Sequence, residues 1–483
     1  MIEPLSPFHA HGPASRPRHH GPLPRAAFRG EALGSALVAM LLAARAAAGS
    51  SPGPDGGVAD AAGLADPSGP VLHVAPLGLG TPEGDGTAER PFGSLEQALG
   101  RASGLEPGLT ILLAPGSHHL SPRPYVDPTC GNCQDPAQPV PATLGLRVSG
   151  RGIVLRGAGL ENTTIYTHSG YGLLFEDCEN CCLEDLTLTG GERDTSGNAT
   201  DAAIVVRRAR LDLARCRIAD NLGDSATVAR TVVGVMGVCG REGADLRIHA
   251  CEIVRNSWDG IALYRDASAV IEDCLVDGMD SGRGRPDCGG RGVGIGVTWN
   301  ARAVIRGNLV RRYWKGIGLF VDAEGIVQEN IVEDVLTWGI ALWDADRGRP
   351  FGDIAGNAVY RTGACGISVT RGMEGGREES HIVGNALVAT GQNPRYDDGQ
   401  TYCAQRALAL EAVRPAVTIE ANAFFRNREP GERPGTLDMP SAGFRAAIAP
   451  LVARLRARPA LAESAFLAEF GGTAEEAGGA GAR

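Results

Sequence analysis

The chain has 483 residues, of which 43% are hydrophobic and 21% charged. That balance belongs to a folded chain with a core and excludes an intrinsically disordered one. A net charge of −10 argues against nucleic acid as a partner, and any polyanionic ligand would need a local basic site.

Residues 1–48 read as an export signal with an extended leader. "RAAFRG" supplies positive charge, "EALGSALVAMLLAARAAAGS" an apolar run, and the small residues around Ala48 a cleavage point. Residues 49–70, rich in Gly, Pro and Ser, read as a flexible linker. No later stretch is apolar enough to cross a membrane. The expected product is therefore secreted or periplasmic, with no membrane span once the signal is cleaved.

Twelve cysteines in an exported chain favour disulfides. Cys130 and Cys133 in "CGNC", and Cys178 and Cys181 in "CENCC", form the dense group. These four are the disulfide candidates and would staple the insertion around residues 123–143 onto an early coil. Two CxxC pairs also suit zinc, a reading that an oxidising compartment disfavours. Cys365 and Cys403 are a further candidate pair.

From about residue 200 a two-part phrase recurs. Its first part places Cys or Asn before two or three mostly apolar residues: Cys216, Cys251 and Cys274, then Asn308, Asn330, Asn357, Asn385 and Asn422. Its second part is Gly–Ile, or a close variant, followed by alternation, as in "GIALYRDA", "GVGIGVTWNA", "GIGLFVDA" and "GIALWDA". Its glycines are Gly260, Gly292, Gly316, Gly339 and Gly366. Units of two or three short strands without a helical period predict a solenoid, each unit being one coil. Stacked asparagines at a turn would form an amide ladder, and cysteine at that position would be a small buried hydrophobe.

These phrases, together with "VLHVAPLGLGTPEGDGTAERPFGSLEQALGRA" and "ILLAPGSHHL", resemble secreted right-handed parallel β-helix proteins of the pectin-lyase-like superfamily. The resemblance covers roughly residues 71–430. It implies an all-β, three-faced solenoid in which "GSLEQALGRA" is an N-terminal helix capping the first coil. Residues 431–483 close the chain with a helical segment and tail, helical spacing running over 441–470.

Alternation within "GIALYRDA" points Ile261 and Leu263 inward and Ala262 and Tyr264 outward. The same parity gives a small outward column, Ala262, Gly296, Gly318, Ala341 and Ser368, beside a larger one, Tyr264, Thr298, Phe320, Trp343 and Thr370. Rings beside a floor of small residues would form a groove on which sugars stack, unless a loop such as 275–291 covers them. Lys315 is the only lysine in the chain. It opens the strand into this face in a column with Asp259, one coil between them putting them roughly 10 Å apart. An ammonium beside tryptophan loses its proton more readily than a guanidinium can, which suits a general base. GC-rich codon bias is the competing explanation for the lone lysine.

The candidate site is therefore Lys315 and Asp259 for catalysis, and Tyr264, Phe320, Trp343, Trp314 and Arg265 for substrate. Arg371 is a further candidate for a carboxylate. Some lyases of the resembled superfamily take the proton beside a uronate carboxyl group with lysine or arginine, with calcium held by aspartates. Asp266, Asp322 and Asp344 are the residues that calcium would use here. The "WIDH"-type segment of pectate lyases and the paired aspartates of polygalacturonases are missing. No His–x–x–x–His or Cys–His–Asp grouping appears, and a copper-handling role lacks a His/Met cluster. Two readings stay open: a polysaccharide lyase or epimerase, and a non-catalytic glycan-binding or structural surface protein. Either acts as a monomer on a polysaccharide or cell-surface glycan.

Overall fold

The computed structural model describes residues 69–79, 83–102, 108–194, 198–231, 233–279, 292–371, 380–393, 405–411, 417–429 and 436–472. The expected signal, nearly all of the expected linker, most of the 275–291 loop and Cys403 lie outside these residues.

Three sheets of 12, 11 and 11 strands, parallel except for one antiparallel edge strand in the third, are built from strands between Val71 and Phe425. One coil shows how they arise. Arg302–Arg306 joins the first sheet, Leu309–Arg311 the second and Lys315–Phe320 the third, before Glu324–Gln328 re-enters the first. Within Arg302–Arg306 alternation sets burial: Ala303 and Ile305 are buried and the arginines at both ends exposed. Stacking coils in register then builds an aliphatic column through the first sheet, Ile248, Ile271, Ile305, Val327, Ile354 and Ile382. Each fully buried side chain contributes about 1.5–3 kcal/mol.

The corner between the first two sheets is held by the expected ladder. Asn308 donates through Nδ2 to Asn330 Oδ1 at 3.0 Å, Asn330 likewise to Asn357 and Asn357 to Asn385, and Asn385 to Asn422 at 2.9 Å. Each amide also donates to a backbone carbonyl of the coil before it, as Asn308 does to Ile271 at 3.0 Å. In the earlier coils Cys251 and Cys274 direct Sγ at the equivalent carbonyls, Leu213 at 3.4 Å and Ile248 at 3.6 Å. Cysteine therefore keeps weak forms of the amide contacts, since Cys251 Sγ also accepts the Cys216 N–H at 3.5 Å.

The glycine column is shifted at one point from its sequence reading. Ile261 pairs with Ile295 and Val293 with Lys315, so the partner of Gly260 is Gly294, not Gly292. "GVGIGV" can be read in two registers, and pairing selects the one that sends Ile295 and Val297 inward. The column requires glycine because the coils approach closely: a Cβ on Gly316 would lie 2.3 Å from the Gly339 carbonyl oxygen.

Helix α1 (Leu95–Ala102) buries Leu95, Ala98 and Ala102 at the N-terminal end of the core. Helix α2 (Ser225–Thr231) is a short excursion between coils. Helices α3 (Ser441–Arg456) and α4 (Ala465–Phe470) pack through Phe444, Ile448, Leu451, Phe466 and Phe470 on the outer face of the second sheet, against Leu309, Ile331, Ala358 and Ala386. They thus cover a side of the solenoid. The Glu333 carboxylate, on that sheet, accepts the Ala465 and Phe466 N–H groups at 3.0 Å each and so satisfies the α4 N-terminus.

Candidate functional site

The outer face of the third sheet carries the two columns that parity predicts. Ala262, Gly296, Gly318, Ala341 and Ser368 are in register, as are Thr298, Phe320, Trp343 and Thr370. Towards the N-terminus the larger column continues through Tyr264 into Arg241, Arg207 and Glu176. The face thus has a charged half and an aromatic half.

The charged half lies under the insertion. Arg123–Asp127 pairs antiparallel with the start of Val140–Arg151 and brings Asp127 down onto the sheet. There Asp127 accepts from Tyr171 Oη at 2.9 Å and Arg207 Nη1 at 2.5 Å, and it also pairs with Arg241. Burial opposes ionisation of Asp127, but Arg241 and Arg207 outweigh it and hold the carboxyl below its usual range. Burial, reinforced by Asp127, pushes Tyr171 well above the ordinary phenol value. Nothing in the spacing announced this network, because its members lie 80 and 114 residues apart.

The four candidate cysteines, whose pairing the sequence leaves open, form two bridges, Cys130–Cys133 and Cys178–Cys181, each three residues apart. They close local turns and do not join the insertion to a coil. The stapling is done by arginines instead. Arg265 donates through Nε to the Gly131 carbonyl at 3.2 Å and through Nη2 to that of Cys133, with its guanidinium 4.3 Å from the Trp299 ring centre. Arg265 is thus engaged with the "CGNC" turn and is not presented to a ligand. Arg371 likewise donates to Ser380 Oγ at 2.5 Å.

In the aromatic half, Asp259 and Lys315 lie in one column with Val293 between them. Asp259 Oδ1 accepts the Val293 N–H at 2.6 Å, and Oδ2 accepts from Tyr264 Oη at 3.4 Å. Gly292 makes this approach possible: a Cβ there would sit 1.9 Å from Asp259 Oδ1. Burial pushes the Asp259 carboxyl up to about 6, against the pull of the Val293 N–H and the Lys315 charge. Lys315 is 8% exposed, and its Nζ lies 5.1 Å from the centre of the Trp338 ring, a cation–π distance. Trp338, Phe320 and Trp343 contact one another with centroids 5.9–6.3 Å apart. Trp338 was not among the sequence candidates.

The open row of rings is not formed. Tyr264 is 5% exposed, Phe320 1%, and Trp343 is half-buried. The Phe320 ring folds back over Gly318, where a Cβ would meet its Cζ at 2.0 Å. The small column thus houses that ring and does not form the floor of a trough. Trp314 packs against Leu336 and Ala364, apart from Phe320 and Trp343. The calcium candidates do not converge: Asp344 accepts the Asp346 N–H and Asp322 that of Arg349, both at 3.1 Å, while Asp266 is exposed. Among the described residues no group of three or more His, Cys, Asp or Glu side chains is gathered for a metal, and no helix is long and apolar enough to cross a membrane.

Comparison with known proteins bears on the fold. No curated protein matches the chain in sequence. Among solved structures the chain is similar to a GH136 lacto-N-biosidase from Eubacterium ramulus, with 13% identity over 72% of this chain and 68% of that one and a TM-score of 0.39. It is similar to a periplasmic alginate epimerase, with 11% identity over 66% and 71% and a TM-score of 0.42. It is also similar to a pectate lyase, with 13% identity over 75% and 81% and a TM-score of 0.40. The family described as "Right handed beta helix region" matches residues 145–284 and 236–400, together more than half of the chain. With three parallel sheets wound as one coil stack, the chain belongs to the right-handed β-helix family.

Proposed function

We propose that the protein is a carbohydrate-active β-helix acting on an acidic polysaccharide as a lyase or epimerase, exported from the cytoplasm to meet that polymer. The observation that carries this reading is the pair Asp259 and Lys315 on one outer face, with one coil between them and the carboxyl near 6. Removing the proton from the carbon beside a uronate carboxylate needs a base, and completing the reaction needs a proton donor. Lys315, whose charge acts on Asp259 at rest, must first release its own proton and, as the free amine, then takes the one from carbon. Asp259, protonated below about pH 6 and bonded to the Tyr264 hydroxyl, returns one. In a lyase that proton goes to the departing glycosidic oxygen as the carbon–carbon double bond forms. In an epimerase it goes to the opposite face of the same carbon. Two CxxC disulfides support an oxidising compartment.

A non-catalytic, glycan-binding role is favoured by one specific observation, the burial of Lys315, Asp259, Tyr264 and Phe320. Uronate polymers assayed for absorbance of unsaturated product, which reports a lyase, and by NMR for inversion at the carbon beside the carboxylate, which reports an epimerase, separate the two readings. The catalytic reading expects product from the parent and a loss of about 100-fold or more in Lys315→Ala, the contribution of a positioned proton-transfer group. Equal rates in both proteins would remove Lys315 from the chemistry. Binding without turnover by the parent would select the non-catalytic role.

A further inference from the structure

A groove of about 730 Å³ runs along the corner where the second sheet ends, against α4. One wall is the turn residue that follows each second-sheet strand. Arg312, Asp334, Arg361 and Arg426 occupy it, all left-handed, with φ of 59°, 52°, 54° and 55°. Adopting that conformation without glycine costs about 1–2 kcal/mol per residue, and it directs each side chain away from the corner. Arg312, Arg361 and Arg426 stand on alternate coils, so successive guanidiniums are about 10 Å apart along the axis.

The carboxylates in this groove are already engaged. Asp334 accepts from Arg361 Nη2 at 2.5 Å, and Glu469 accepts from Arg426 Nη2 at 2.6 Å and from the Tyr360 hydroxyl. Arg312 is held by Asp277. The guanidiniums are not used up, since each has five N–H donors. Arg361 Nε is buried without a hydrogen-bond partner, and the three side chains are 40–47% exposed. A site with filled acceptors and spare planar donors selects an acceptor-rich ligand.

We infer that this groove binds a linear, carboxylate-bearing saccharide chain lying along the solenoid axis, at a site separate from Asp259 and Lys315. The anion preference follows from the donors alone; the choice of a uronate chain rests on the function proposed above. The test is calorimetric titration of the full chain with a uronate hexamer, its methyl ester and inorganic polyphosphate. Parent and Lys315→Ala should bind the hexamer alike. Arg361→Gln and Arg426→Gln should each bind about tenfold more weakly or worse, the loss expected for a charged hydrogen bond. The ester and the polyphosphate should bind far less well than the hexamer.

Unchanged affinity in Arg426→Gln, whose half-exposed side chain leaves the fold least affected, would overturn the assignment. So would equal binding of the ester, which removes the anion preference, or of the polyphosphate, which removes the saccharide. Loss of binding in Lys315→Ala alone would assign the ligand to the other site and also overturn the groove. Arginine-dependent binding by a protein that turns over no uronate would uphold the groove while the proposed function fails.

Discussion

Lys315 and Asp259 show what single residues disclose. Lys315 stood out because it is the only lysine beside 45 arginines, and alignment of the stacked repeats placed it in the Asp259 column. Its ring partner, Trp338, is the next member of that column, but the residue leading into a strand has no fixed parity, so the ring contact was not legible. Asp259 makes a pH prediction whose sign follows from its shift. The folded value of about 6 lies above the ordinary 3.8. The contribution to stability is therefore complete below about pH 4 and lost as pH rises through 6, by about 3 kcal/mol at neutral pH. Asp259→Asn keeps an acceptor for the Val293 N–H and removes the titration. Thermal unfolding should show the parent losing stability relative to Asp259→Asn between pH 4 and 7. Parallel profiles for the two proteins would mean that the carboxyl is not desolvated.

The repeated elements were the most legible part of the chain. The Cys-to-Asn column lies one residue after a left-handed turn residue and every amide in it is reused by the next coil, so one position in the text reports a whole corner. Asn357→Ala would leave the Asn330 backbone N–H and the Val327 carbonyl without their side-chain partners. Each orphaned buried group costs about 1–3 kcal/mol, and a clear fall in the denaturant midpoint is expected. The insertion over the charged half was not legible, because it pairs antiparallel, outside the coil period, and is fixed by charges from distant coils. Arg241→Ala would leave the Asp127 charge undercompensated, a loss of about 3–5 kcal/mol. Hydrogen exchange should then accelerate in 123–143 more than in the coils beneath. Uniform acceleration would mean that the insertion is not a separate unit.

At the scale of the molecule, a solenoid must cover every apolar face its coils do not bury. Helix α1 covers an end, and α3 with α4 cover the outside of the second sheet. Helical spacing over 441–470 made those helices predictable; their docking side was not, because the outer residues of the second sheet alternate within strands of only three residues. Ending the chain after Glu429 would expose Leu309, Ile331 and Ala358, and light scattering should report more self-association than for the intact chain. A truncated chain that associates no more than the intact one would mean that the helices are not needed as a cover.

The stacking that creates those faces also sets Lys315 and Asp259 in one column. Proton transfer at the carbon beside a uronate carboxylate is what that placement is proposed to achieve, and incubating uronate polymers in heavy water with parent and Lys315→Ala, followed by NMR of the polymer, reads it most directly. The account predicts deuterium at that carbon or unsaturated chain ends with the parent, and neither with the variant. A polymer left untouched by the parent, or altered equally by Lys315→Ala, would contradict it.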